Sequence, residues 1–365
     1  MPPPRISHAS LRGRALRKTE TSPIDRIGCA GPVPSPRSPL MSSLPSPASG
    51  LVVLDAAAVR AGLVPHRLIP ALRDAMIALS EGRVRQNLRS FIGLGEGRTF
   101  ALMPAAFTDE GLFGAKLVSV FADGTGRKAH EGVVVLFDGQ TGAPICIADA
   151  GEITAVRTAA ASAVATDALA RPDARSLSIL GLGRQAAEHI AAIARVRPLE
   201  SVRVWGRDPG RAEAFAARMG AFTGLAVSAV ASPRAAAEDA DILCTVTAAV
   251  DPILEGAWVA PGAHVNVVGS SGPSAAEIDT DLVARSRFIV DHAEHVRVHG
   301  GEFLRARATG RIGADHIAAE IGAVLAGTVA GRTRADDITV YKSLGHAVQD
   351  IAAAGLLHAA SRVAD

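Results

Sequence analysis

Ser176-Leu-Ser-Ile-Leu180-Gly181-Leu-Gly183-Arg184-Gln185-Ala186-Ala187, followed after a helical interval by Ser201-Val-Arg-Val-Trp205-Gly206-Arg207, is the stretch whose reading decides the fold. A short apolar run ends on Gly-x-Gly, an Ala- and Ile-rich segment with helical spacing follows, and a second apolar run closes the unit. That succession of strand, helix and strand is the pattern of a dinucleotide-binding fold. The turn beneath a pyrophosphate needs backbone without Cβ, and the next helix must offer free N–H groups to the anion. Gly181 and Gly183 meet the first need, and the segment opening at Arg184 meets the second. The third glycine of the full pattern is replaced by Ala186 and Ala187, and alanine still permits close packing of helix on sheet.

The end of the second strand bears on which dinucleotide binds. An NAD site places an acidic residue there to accept from the ribose 2′-hydroxyl, whereas this chain has Gly206 and Arg207. A guanidinium pairs with a 2′-phosphate, so NADP is favoured. Asp208, one residue on, keeps NAD open.

With 365 residues, the chain has room for two domains. Hydrophobic residues make up 48% and aromatic residues 4%, which describes a chain packed mainly by aliphatic side chains. No apolar run reaches the roughly 18 residues of a membrane span. Seven basic residues face two acidic ones within residues 1–48, so the body of the chain is mildly acidic and has no basic face for nucleic acid. Cys29, Cys146 and Cys244 are widely spaced without a metal-ligand pattern, which fits a reducing cytoplasm.

Residues 1–48 are rich in Pro, Ser and Arg and lack apolar periodicity, so they are expected to be a disordered extension, with Met41 an alternative initiator. From Leu51 the pattern predicts a short strand, helices over 56–61 and 67–81, and then a run of strands. Gly93-Leu-Gly95-Glu-Gly97 has no helix after it and reads as a hairpin turn. Ile153 to Ala170 is a dense alanine helix. Asp241-Ile-Leu-Cys-Thr245-Val246-Thr247 is a later parallel strand with hydroxyls at its carboxyl end, where ligands lie in such sheets. Ala314 to Ala330 and Ser343 to Ala364 read as helices returning to the first domain.

Several side chains invite a chemical reading. Lys116, one of four lysines against 34 arginines, is either a solvated strand-edge charge or a cation beside an anionic substrate. Arg157, inside a small and apolar helix, needs an anion that is either structural or a ligand carboxylate. Arg89 alternates with apolar neighbours and is equally open. His292, His295 and His299 form a His-x2-His-x3-His run, but no helix clearly aligns them, so a surface loop or helix is expected there and no metal.

Taken in order, Met103-Pro-Ala, Gly114-Ala-Lys116-Leu-Val, Leu136-Phe-Asp138-Gly-Gln-Thr-Gly-Ala-Pro144 and Ile153-Thr-Ala-Val-Arg157 are followed by Gly181-Leu-Gly183, Asp241 to Thr247, Pro261-Gly-Ala-His264-Val-Asn266 and Tyr341-Lys342-Ser343-Leu-Gly345-His-Ala-Val-Gln-Asp350. From Leu51 onward this succession resembles the ornithine cyclodeaminase/mu-crystallin family. The resemblance implies an α/β chain with a Rossmann-type domain, residues 156–314, inserted into a discontinuous α+β dimerisation and substrate domain, residues 51–155 plus 315–365. It also implies a homodimer. By motif position, Arg89 and Arg157 would hold the substrate carboxylate and Lys116 would lie against the reacting carbon and nitrogen. Gly181, Gly183, Gln185, Ala186, Gly206, Arg207 and Thr245 to Thr247, Val246 included, would bind the cofactor.

One position departs from the cyclodeaminases, which carry an aspartate two residues after the glycine of Val268-Gly269. This chain has Ser271, which supplies no carboxylate base. Ketimine reductases of the mu-crystallin type resemble it there. With Lys116 and Ser271 as candidate catalytic positions, the expectation is NADPH-dependent reduction of Δ1-pyrroline-2-carboxylate or Δ1-piperideine-2-carboxylate to L-proline or L-pipecolate. The alternatives are an alanine dehydrogenase, an ornithine cyclodeaminase and a non-catalytic ligand-binding protein.

Overall fold

The computed structural model describes residues 50–109, 111–122 and 128–362. The extension expected over residues 1–48 lies outside them. The chain opens with β1 (Val52–Leu54), α1 (Ala56–Gly62) and α2 (Pro65–Ser80). It continues through β2 (Val84–Gln86), β3 (Ser90–Gly95), β4 (Arg98–Phe107), β5 (Leu112–Ala122), β6 (Lys128–Asp138) and β7 (Pro144–Asp149). These strands form one sheet in the order β1-β7-β6-β5-β4-β2, with β3 also on β4, and every pairing except β1 with β7 is antiparallel. Alternation sorts the faces: Met103, Ala105, Val118, Val134, Leu136 and Ala148 are buried in one core with Leu68, Leu72 and Met76 of α2. The glycine cluster is the β3–β4 turn, with Gly95, Glu96 and Gly97 all in the left-handed region.

α3 (Ala150–Leu169) leaves this sheet and is buried along almost its whole length. Its alanines favour helix, and Asp149 caps it by accepting from Glu152 N at 2.6 Å. A helix with apolar residues all round must be covered on all sides. α3 is covered by α4, α2, α11 and α1 and by strands of both sheets.

The second sheet begins with β8 (Ser176–Leu180), α4 (Arg184–Ile193), β9 (Ser201–Trp205), α5 (Pro209–Thr223), β10 (Val227–Ala229), α6 (Pro233–Ala237) and β11 (Ile242–Thr245). Then come β12 (His264–Val267), α7 (Thr280–Arg285), β13 (Arg287–Val290), α8 (Ala293–His299), α9 (Gly301–Ala308), β14 (Ala319–Glu320), α10 (Ile321–Leu325), β15 (Thr339–Lys342) and α11 (Ala347–Ser361). All eight strands are parallel, in the order β10-β9-β8-β11-β12-β15-β13-β14. The winding direction reverses between β8 and β11, which opens a crevice at their carboxyl ends.

Three readings of the C-terminal part change. The helix expected over 314–330 is reduced to α10. Gly322 lies so close to α2 that a Cβ there would sit 2.0 Å from Met76 O, and Gly327 at φ +75° turns the chain away. The helix expected from Ser343 begins at Ala347. β14 and β15, from the segment expected to return to the first domain, instead join the second sheet, with β15 lodged between β12 and β13. α11 does return, packing against β4, β5 and β6.

Candidate active site

Lys116 lies within β5, opposite Met103 on β4 and Val134 on β6, so it occupies the sheet's interior and no solvated edge. Gly114 explains the close fit two residues before it, since a Cβ there would meet Val135 O at 2.0 Å and Ile351 Cδ1 of α11 at 3.0 Å. Lys116 is only 6% exposed. Its Nζ donates to Thr154 Oγ1 at 2.5 Å and stands 3.5 Å from Asp350 Oδ1.

Thr154 and Arg157 share one face of α3, three residues apart. Arg157 donates through Nε to Asp350 Oδ1 at 2.9 Å and through Nη1 to Gln349 Oε1 at 3.0 Å. Asp350 sits in the first turn of α11, where the helix dipole favours a carboxylate. It is wholly buried, and its Oδ2 has no partner among the described residues. Burial alone would raise its pKa, yet Arg157 and Lys116 outweigh burial and hold the carboxyl below its usual range. Burial pulls the Lys116 ammonium down from 10.5 to about 8; Asp350 resists that fall, and Arg157 and Arg89 add to it.

Arg89 stands in the irregular segment between β2 and β3. Its Nη2 donates to the carbonyls of Leu344 and Gly345. Gly345, at φ +76°, has room for no side chain: a Cβ would lie 2.7 Å from Arg157 Nη1. One stretch of backbone therefore touches both guanidinium groups. Burial lowers the Arg89 pKa, as does the charge of Arg157.

The crevice of the second sheet holds the predicted glycine turn. Gly181, at φ +134°, leaves so little space that a Cβ would lie 2.8 Å from Val246 O, whereas Gly183 faces open space. α4 starts immediately after, capped by no side chain among the described residues, which leaves its first N–H groups available. Ala186 is fully buried against the sheet. Gly206 packs on Leu182, and Arg207 beyond it is exposed with no ion pair among the described residues. Asp208 accepts from Arg211 N at 3.0 Å as the N-cap of α5. These features fit a dinucleotide: a tight turn without Cβ, an open helix N-terminus and an unpaired cation at the end of β9.

The chain matches the model of the ornithine cyclodeaminase/mu-crystallin family over residues 51–363. It belongs to that family. The mouse ketimine reductase mu-crystallin is 37% identical over 297 residues, covering 80% of this chain and 91% of that protein. The Δ1-pyrroline-2-carboxylate reductase of Bacillus cereus is 33% identical over 291 residues, covering 78% and 89%. The solved structure of the Thermococcus litoralis Δ1-pyrroline-2-carboxylate reductase, in complex with NADH and L-proline, superposes with a TM-score of 0.82 at 32% identity, covering 86% of this chain and 98% of that one.

Within this family fold, Arg89, Lys116 and Arg157 come together, and the glycine turn faces Val246. Ser271 does not join them by hydrogen bond; it is exposed on the loop after β12. Thr245 and Thr247 also differ from a simple cofactor-facing reading. Their hydroxyls donate to Glu277 at 2.9 and 2.7 Å, and Glu277 further accepts from Thr247 N at 2.7 Å and Gly269 N at 2.6 Å. Burial keeps its carboxyl above the usual range despite those donors.

The sequence reading missed Glu277 and Asp350. The only local signal for Asp350 was a carboxylate in an apolar helix. The histidine run lies on a helix, as expected, with His292 the N-cap of α8, but it is not wholly at the surface: His295 is buried against His346, with ring centroids 4.5 Å apart.

Proposed function

We propose that the protein reduces a cyclic ketimine carboxylate, Δ1-pyrroline-2-carboxylate or Δ1-piperideine-2-carboxylate, to L-proline or L-pipecolate, with NADPH preferred over NADH. It is an NAD(P)H-dependent oxidoreductase acting at a carbon–nitrogen bond. One observation carries the reading. Three cations, Arg89, Lys116 and Arg157, gather around Asp350, among the described residues the one carboxylate in contact with two of them. A buried excess of positive charge is completed by an anionic ligand.

When bound, the reduced nicotinamide supplies a hydride to the imine carbon and leaves oxidised. The turn at Gly181 and Gly183 with the N-terminus of α4 would hold the pyrophosphate, and Arg207 the 2′-phosphate. Arg89 and Arg157 would fix the substrate carboxylate so that the ring is oriented before reaction, the contribution that positioning makes largest. Lys116 would hold a proton at Nζ against the imine nitrogen, so that the C=N bond gains hydride at carbon and proton at nitrogen. Asp350 keeps that ammonium charged and turns Arg157 toward the ligand. Ser271 would offer the ligand a hydroxyl where a cyclodeaminase needs a carboxylate, which favours reduction.

The outer face of the first sheet supports a homodimer. Phe113 and Phe137 stack there at 5.2 Å, and Ile92, Leu102 and Phe121 of β3, β4 and β5 are exposed on the same face. A cytoplasmic setting fits the two buried free thiols, Cys146 and Cys244.

The deciding experiment follows the loss of nicotinamide absorbance with each imine, using NADPH and NADH in parallel and pyruvate plus ammonia as the competing substrate. Imine turnover that depends on Lys116 supports the reading; turnover of pyruvate and ammonia alone replaces it with a dehydrogenase.

A further inference from the structure

The Thr154 hydroxyl is engaged at both ends. Its Oγ1 lies 2.5 Å from Ala150 O, one turn back on α3, and 2.5 Å from Lys116 Nζ on β5. A carbonyl only accepts, so the hydroxyl hydrogen goes to Ala150 and the oxygen meets Nζ as an acceptor. The bonds therefore run one way, from the lysine through the hydroxyl to the backbone. Thr158, a turn further along, makes the same bond to Thr154 O at 2.6 Å but receives no side-chain hydrogen bond among the described residues. Such bonds slightly destabilise a helix, so α3 does not need the Thr154 hydroxyl in order to form.

A charged lysine has three hydrogens to place. Among the described residues the acceptors of Lys116 Nζ are Thr154 Oγ1 and, at 3.5 Å, Asp350 Oδ1. The other charges acting on Nζ are Arg157, whose Nε binds the same Oδ1 at 2.9 Å, and Arg89, and both are donors. One hydrogen of Nζ is thus left without an acceptor, on a side chain only 6% exposed. Buried donors are ordinarily paired, and a ligand atom completes this one.

We propose that Thr154 is a positioning residue for the reduction: with its own hydrogen committed to Ala150, it fixes Nζ so that the one unspent hydrogen is delivered to the imine nitrogen. This rests on the reading of the site as an imine reductase and adds a residue to it. As hydride from the reduced nicotinamide enters the imine carbon, the π pair of the C=N bond moves to nitrogen and takes the proton. The Nζ–H bond breaks and leaves its pair on Nζ. Neutral Nζ still donates to Thr154 and Asp350, so the new lone pair faces the product amine, and a proton from water restores the ammonium.

Three variants of the full chain test it. Thr154→Val keeps the shape of the side chain and removes the hydroxyl, Thr154→Ser keeps the hydroxyl, and Thr158→Val removes the neighbouring back-bond as a control. Thr154→Ala gives the same comparison should Thr154→Val not fold. The chain has four lysines, so NMR of protein labelled with 13Cε-lysine follows Lys116 through a pH titration with no substrate present. In Thr154→Val the Lys116 midpoint is expected to fall by roughly one pH unit, because the charged form loses an acceptor, while Thr154→Ser and Thr158→Val stay near the wild type. In turnover of the imine with NADPH, Thr154→Val is expected to lose roughly tenfold to a hundredfold in kcat with KM changed less than about twofold, since Arg89 and Arg157 still hold the carboxylate. Thr154→Ser is expected to regain most of that loss. Melting temperature and NADPH binding show that each variant is folded. An unmoved Lys116 midpoint in Thr154→Val, an equal movement in Thr158→Val, or a kcat loss that Thr154→Ser does not regain overturns the role of Thr154 and leaves the reductase standing. Turnover of neither imine by the wild type, with NADPH bound, overturns the reductase and with it the delivery of the proton.

Discussion

Two buried charge networks are built to opposite plans. Where β12 and β15 end, Lys342 Nζ donates to Ser270 O at 2.5 Å and Ser270 Oγ at 2.7 Å and stands 2.9 Å from Glu302 Oε2. Glu302 Oε1 accepts from Ser270 Oγ and from Glu277 N at 3.0 Å, while Glu277 gathers four donors of its own. Charges and hydrogen bonds there come close to completion inside the protein, with Glu302 Oε2 off the donor line as the loose end. Around Asp350 the account stays open, with more cations than carboxylates and an unpaired Oδ2. A buried charge that is answered by its own chain is scaffold; one that is left unanswered awaits a ligand.

Lys116→Ala strikes the open network and is expected to give the largest effect. Its kcat/KM for the imine should fall by about 10²- to 10⁴-fold, the range for losing a positioned proton donor. NADPH affinity, measured by fluorescence titration, should persist. A collapse in melting temperature with turnover intact would erase the distinction between the networks.

Lys342→Met strikes the closed network. It leaves Glu302 without its ion-pair partner in a fully buried site, and the expected loss is about 3–5 kcal/mol of stability, read from the denaturant midpoint. A midpoint within error of the wild type would show that the closed network is dispensable.

Arg207 is a third, exposed case. Arg207→Ala should lower kcat/KM with NADPH relative to NADH by roughly tenfold to a hundredfold, the worth of a charge-assisted phosphate contact. An unchanged ratio would move 2′-phosphate recognition elsewhere.

The smallest effect is in pH. With Lys116 lowered from 10.5 to about 8, kcat/KM should decline above about pH 8 as Nζ loses its proton. Between those two values the unfolded chain holds a proton that the folded chain has released, so the contribution of Lys116 to stability rises with pH while activity falls. Asp350→Asn removes the group that resists the shift and should move the activity limb to lower pH. Denaturant titrations of wild type and Lys116→Met across this window test the stability slope, and a shared slope would contradict it.

Reading the sequence succeeded where a residue's requirement is local. Gly181 and Gly183 announce a turn because only their own backbone needs to be free of Cβ, and Gly93 to Gly97 announce a hairpin for a similar reason. Lys116 and Arg157 stood out as misfits in apolar surroundings, which named them as candidates without naming a partner. Asp350 stayed hidden because its contacts reach across 193 residues to Arg157 and 234 to Lys116. The histidines were read as a surface run because His346, which buries His295, is remote in sequence.

By itself, the sequence determined the dinucleotide turn, the hairpin sheet, the buried alanine helix and family membership. Each follows from backbone freedom, periodicity or the order of short motifs, which neighbouring residues carry. Only the tertiary structure decided that β15 enters the second sheet between β12 and β13, that Glu277 takes the hydroxyls of Thr245 and Thr247, and that Gly345 lies between Arg89 and Arg157. Those outcomes depend on which distant groups can share a buried space and satisfy one another's charge and hydrogen bonds. No local pattern specifies that.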